Sequence, residues 1–110
     1  MALPEPLRGE VWDVACPGFG VRLAVVLSVN ALNSRLGHVV VLPATGTSGP
    51  SLTHISLGAD AGLTPRYGES YVDVTGVQAV ARGRCRRRRG LLAPSEMTRI
   101  EGQLRVYLGL

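Results

Sequence analysis

Residues 23–27, LAVVL, form an uninterrupted apolar stretch rich in β-branched side chains. A run of this kind suits a strand buried on both faces, and it is far shorter than the roughly 20 residues that a membrane helix needs. A second such run, HVVVL at residues 38–42, follows it and stops at Pro43. At 110 residues the chain is expected to form one domain, with a core that needs neither disulfides nor metal.

The remaining segments fit that frame. Residues 1–7 hold two prolines and read as a loose arm. Residues 10–14 alternate as a first strand, 16–20 turn, and the second strand extends over 21–30. A helical turn is expected at 31–35. TGTSGPS, residues 45–51, lacks periodicity and reads as an exposed loop. Residues 53–57, 70–74 and 77–81 read as short strands, with a loop over 58–68 and a bulge or tight bend near Gly76. Near the C-terminus the period changes. Met97, Ile100, Leu104, Tyr107 and Leu108 make one helical stripe, Pro94 suits the first turn, and Gly109 ends the helix. The expected class is mainly β with a C-terminal helix, a small bent barrel with the helix packed alongside.

Charge and cysteines narrow the function. Net charge is +4, and all twelve basic residues are arginines, which favours an acidic partner such as nucleic acid or an acidic protein. Cys16 and Cys85 form neither a disulfide framework nor a metal-ligand spacing. With no signal-peptide pattern in MALPEPLRGE, they point to a reducing, cytoplasmic setting. The common nucleotide-binding and metal-binding motifs are missing, so no cofactor and no metal are expected.

Arg22 stands at the mouth of the first apolar strand, directly after Gly18-Phe19-Gly20. A guanidinium is charged at any physiological pH and is seldom buried unpaired. Thr45 stands beyond the other end of the 38–42 strand. If the two strands pair antiparallel, the start of one and the end of the other meet at one rim, where a cation and a hydroxyl together can hold a phosphate. His38 reads as a strand-edge residue. His54 reads either as an exposed structural histidine or as a base-contacting or proton-shuttling one. The run from Arg82 to Arg89 reads either as a solvated connector or as a phosphate-attracting patch without sequence specificity.

RGEVWDV, GVRLAVVLSVNALN, VVVLPATGTSG, THISL and the terminal LAPSEMTRIEGQLRVYLGL, in that order, resemble the MazF/PemK family of toxin endoribonucleases from Arg8 to Leu110. The resemblance implies an SH3-like barrel in a homodimer, with single-stranded RNA lying along the dimer interface and a cognate antitoxin blocking that groove with an acidic tail. It implies metal-independent cutting by the RNA 2′-hydroxyl, leaving a 2′,3′-cyclic phosphate and a 5′-hydroxyl. By the family's motifs the catalytic residues fall on Arg22 and Thr45. The RNA path is expected to involve Gly20, Val21, Thr47, Ser48, His54, Arg86 and Arg87. The chain departs from the pattern at Leu23, where proline is usual, and in its short 16–20 loop. It has Thr75-Gly76 where relatives commonly carry an acidic residue and a glutamine. Two other readings stay open: a same-fold toxin that binds DNA gyrase, and a family member that binds RNA or antitoxin without cutting.

Overall fold

The computed structural model describes residues 3–57 and 70–110. Seven strands make one antiparallel sheet: β1 (Glu10–Cys16), β2 (Gly20–Val26), β3 (His38–Thr45), β4 (His54–Leu57), β5 (Ser70–Asp73), β6 (Gln78–Ala81) and β7 (Cys85–Leu91). Two helices complete it, the short α1 (Asn30–Asn33) and the C-terminal α2 (Pro94–Leu108). The strands run in the order β4-β5-β3-β2-β1-β7, with β6 also on β3. The sheet is bent as a barrel is but does not close, because β6 and β7 do not pair. The loop expected at 58–68 lies outside the described residues.

The apolar runs behave as doubly buried strands. Leu23, Val25 and Leu27 point to one core with Val11, Leu42, Ile55, Val72, Val74 and Ile100. Ala24 and Val26 point to the other, with Val14, Cys16, Val39, Val41, Val80 and Cys85. Alternation is hidden in these strands because both faces are apolar.

Strand β3 continues past Pro43, where the sequence led us to expect a stop. Val40 uses its carbonyl to accept from Leu27 of the β2 side, at 2.9 Å. Even-numbered residues of β3 therefore bond towards β2, and the donor that Pro43 lacks would have faced the opposite edge. That edge holds β6 against residues 38–41 and β5 against residues 44–45, and the 3-10 turn Val74–Gly76 fills the gap between them. No ladder bond is lost there, so proline is tolerated in a central strand. Strand β2 ends earlier than expected, at Val26, because the Ser28 hydroxyl takes the Val40 amide at 3.0 Å and Ser28 is tied to Asn33.

Only the start of the arginine run connects strands: Arg82–Arg84 make a 3-10 turn, and Arg86, Arg87, Arg88 and Arg89 lie in strand β7, paired to β1. Two register shifts in that pairing mark bulges at an edge strand. Arg88 pairs with the buried Glu10, and Arg89 Nε donates to Asp13 at 2.8 Å. Arg84 donates to the Ala15 carbonyl at 3.1 Å. Arg82 reaches the carbonyls of Pro4 and Asn33 at 3.1 and 3.2 Å, which ties down the N-terminal segment expected to be loose. Helix α2 buries Ile100 fully, with Met97 and Leu104 against the same core. Its stripe stops there. Tyr107 and Leu108 are exposed.

Candidate active site

Strand register builds the site. Ala24, Val25 and Val26 face Pro43, Leu42 and Val41, and carrying the same register two pairs outward, past Leu23 and Ala44, brings Arg22 level with Thr45. On its other side Thr45 faces Tyr71 of β5, and Asp73 of β5 faces His54 of β4. Side chains directly opposed across antiparallel strands share a face. Arg22, Thr45, His54 and Asp73 thus come to one cleft of about 270 Å³, together with Phe19 and Gln78.

The turn before β2 positions Arg22. Gly18 and Gly20 adopt φ of 82° and 72°, a conformation costly for other residues, and this throws Phe19 outward. The Arg22 guanidinium carbon lies 5.5 Å from the Phe19 ring centroid, and Arg22 Nε donates to the Phe19 carbonyl at 3.4 Å. The guanidinium has no carboxylate partner among the described residues, so its charge faces the cleft. Thr45 Oγ1 accepts the Thr47 amide at 3.2 Å, which leaves the hydroxyl proton to be donated elsewhere.

His54 is held from three sides. Nδ1 is 2.8 Å from Thr53 Oγ1, and Nε2 is 3.8 Å from Asp73 Oδ2. The Thr53 hydroxyl also lies 3.3 Å from the Pro50 carbonyl, to which it can only donate. When the Thr53 proton goes to Pro50, Nδ1 is the donor to Thr53 and the Nε2 lone pair is left at the cleft. Gly49 packs over the ring so closely that a Cβ there would lie 2.6 Å from Nδ1. Asp73 accepts from the Thr75 hydroxyl at 2.7 Å and the Thr75 amide at 3.0 Å. Chiefly through the Thr75 hydroxyl, and despite some burial, its carboxyl is held below the usual aspartate range. It is therefore the ionised neighbour that a protonated His54 needs.

Of the residues expected from sequence, the cleft unites Arg22, Thr45 and His54, and Thr47 touches Thr45 through its amide. Gly20, Val21 and Ser48 are exposed nearby in sequence but do not line it. Arg86 and Arg87 do not converge on it either. The register sets Arg87 opposite Asp13 and Leu23, the face away from Arg22. Phe19, Asp73 and Gln78 were missed. A lone aromatic between two glycines is the only sequence signal for the first. An acid and a glutamine do reach the cleft, but from Asp73 and Gln78, which flank the Val74–Gly76 turn, rather than from Thr75-Gly76. Among the described residues no group of three or more His, Cys, Asp and Glu side chains is placed to hold a metal ion, and no helix is long and apolar enough to cross a membrane.

A bent antiparallel sheet backed by one helix, with an arginine-bearing cleft at its rim, defines a small barrel-like β fold. Residues 7–108 match the family described as PemK-like, MazF-like toxins of type II toxin–antitoxin systems, and the chain belongs to that family. Solved structures agree over nearly the whole chain. An endoribonuclease in complex with its cognate antitoxin, from a mycobacterial species, superposes with a TM-score of 0.82 at 28% identity, covering 96% of each chain. A Deinococcus radiodurans MazE–MazF complex gives 0.80 at 21% identity, covering 97% of this chain and 99% of the other. The Mycobacterium tuberculosis toxin MazF-mt6 gives 0.77 at 19% identity, over 92% and 97%.

Proposed function

We propose that this toxin is a metal-independent, sequence-specific endoribonuclease that cuts single-stranded RNA, mRNA above all, and so halts translation and growth until its antitoxin binds. The observation that carries this is the one cleft that Arg22 and Thr45 line together, with the His54–Asp73 pair across it.

In this reading the scissile phosphate sits between the Arg22 guanidinium and the Thr45 hydroxyl. His54 Nε2 takes the proton of the adjacent 2′-hydroxyl, and ionised Asp73 stabilises the imidazolium that forms. The 2′-oxygen bonds to phosphorus and the bond from phosphorus to the 5′-oxygen breaks. Arg22 stabilises the charge gathered on the pentavalent phosphorus and on the departing oxygen, which takes its proton from water. The products are a 2′,3′-cyclic phosphate and a 5′-hydroxyl. A histidine serves better than Arg22 as the base, because a guanidinium does not give up its proton below about pH 12. Phe19 offers a face on which a base can stack.

The solved endoribonuclease–antitoxin complex at 28% identity supports a cognate antitoxin as the protein partner. A homodimer is supported by the apolar end of the chain, where Val106 and Leu110 are 70% and 85% exposed. The test is incubation of the purified protein with a long single-stranded RNA in EDTA, with the cut ends mapped. Discrete cuts bearing 5′-hydroxyls, abolished in Arg22→Ala, are expected. Intact RNA, or an Arg22→Ala protein that cuts at the wild-type rate, refutes the reading.

A further inference from the structure

Behind His54 the fold carries a second, larger groove. It lies between β4 and α2, has a volume of about 590 Å³, and uses His54 as the wall it shares with the cleft. Ser51 and Ser56 line one side, and Thr98, Arg99, Gly102 and Gln103 line the other. The last four recur at helical spacing, so they form one face of α2.

Two features of that face are unexplained by the fold of this chain. Gly102 sits in the interior of α2, where glycine is a poorer helix former than any residue but proline. A Cβ at that position would meet nothing within 4 Å, so no packing in the protein requires glycine there. Gln103 Oε1 is shut off from solvent and accepts no hydrogen bond among the described residues. An unsatisfied acceptor of this kind is destabilising. Gln103 as a whole is only partly buried, so its terminal amide can swing outward and gain a bond from a donor seated in the groove.

We propose that this groove is a second nucleotide subsite, taking a base with an exocyclic amino group beside the cut. The bare helix backbone at Gly102 lets a flat ring lie close. The Gln103 amide accepts from the amino group and donates to the adjacent ring nitrogen, the paired geometry by which glutamine reads adenine. Arg99, on the same helix face, meets the neighbouring phosphate. Continuity through His54 favours RNA, since a strand lying in the cleft reaches this groove with its next nucleotides. The volume falls within the about 300–1,000 Å³ of small-ligand sites, enough for one nucleotide. This assignment rests on the ribonuclease reading of the cleft.

The test digests random-sequence single-stranded RNA with the wild type, Gln103→Ala and Gly102→Leu, and reads the bases flanking each cut. The wild type should favour adenine or cytosine over uracil at one flanking position. Gln103→Ala should lower that preference about 5- to 100-fold at this position alone. Gly102→Leu, whose side chain fills open space and improves the helix, should abolish the preference without lowering the melting temperature. Profiles of both variants that match the wild type overturn the proposal, and do so equally if Gly102→Leu instead weakens the hold on an acidic peptide. If the wild type cuts no RNA, the catalytic reading fails separately. The groove is then judged by fluorescence anisotropy with labelled oligoadenylate and oligouridylate. Tighter adenylate binding, lost in Gly102→Leu, upholds the subsite; equal binding of the two overturns it.

Discussion

Replacing Gly49 by alanine isolates the role of His54 without touching a reacting group. The added Cβ would lie 2.6 Å from Nδ1 and 2.7 Å from Nε2 of the His54 ring, against the 3.4–4 Å of ordinary contact. The ring must move by about 1 Å, and it is the mobile partner because Gly49 belongs to the backbone of the loop. That movement breaks the 2.8 Å bond to Thr53 Oγ1 and turns Nε2 away from Asp73 and the cleft. Misplacing a reacting group by 1 Å reduces turnover about 100-fold. The stability effect is far smaller, because one neutral hydrogen bond contributes about 1 kcal/mol. Gly46→Ala is the matched control: it lies in the same loop, and its Cβ would meet nothing within 4 Å. The assay is the initial rate of cleavage of a fluorogenic RNA oligonucleotide, with thermal melting alongside. A Gly49→Ala rate within twofold of Gly46→Ala would refute His54 as the base.

The arginines of β7 should separate into two groups. Arg86→Gln and Arg87→Gln leave the ion pairs of β7 intact, so together they should reduce the salt dependence of RNA binding by a slope of about 1.4 if each meets one phosphate, while melting temperature holds. Arg88→Gln should instead destabilise the fold by roughly 1–3 kcal/mol in urea titrations, because it leaves the carboxylate of the buried Glu10 without its guanidinium. Alkaline pH should unfold the protein through Cys85. Burial, with a push from the neighbouring Cys16 and some relief from Arg82, raises its thiol pKa to about 11 from 9.0. A raised folded-state pKa gives stability that is complete below pH 9 and lost as pH rises towards 11, about 2–3 kcal/mol in all. Urea midpoints across that range should fall less steeply for Cys85→Ala, and equal slopes would refute the account.

Where the site was legible, two local signals coincided. Residues 23–27 and 38–42 are apolar enough that only strands buried on both faces accommodate them, and Arg22 and Thr45 flank those runs. Antiparallel pairing alone then brings the two together. The C-terminal helix was legible for a similar reason, since its period is local, although the exposure of Tyr107 and Leu108 was not. Which turns of the helix are covered is a tertiary matter.

Strand β7 was illegible because CRRRRGL carries no apolar alternation; what makes it a strand is the β1 edge and the carboxylates of Glu10 and Asp13, all distant in sequence. The continuation of β3 through Pro43 depends on which edge the missing donor faces, and that follows from the pairing. The same holds for the proposed base. His54 and Asp73 belong to strands whose order in the sheet no local pattern reveals, and Gln78 reaches the cleft only because a 3-10 turn breaks the edge opposite Pro43. By itself, then, the sequence determined the class of fold, the cation and the hydroxyl, because burial periodicity and fixed charge are local properties. Register and strand order decided which further groups share their cleft, because those are set by pairing between segments far apart in the chain.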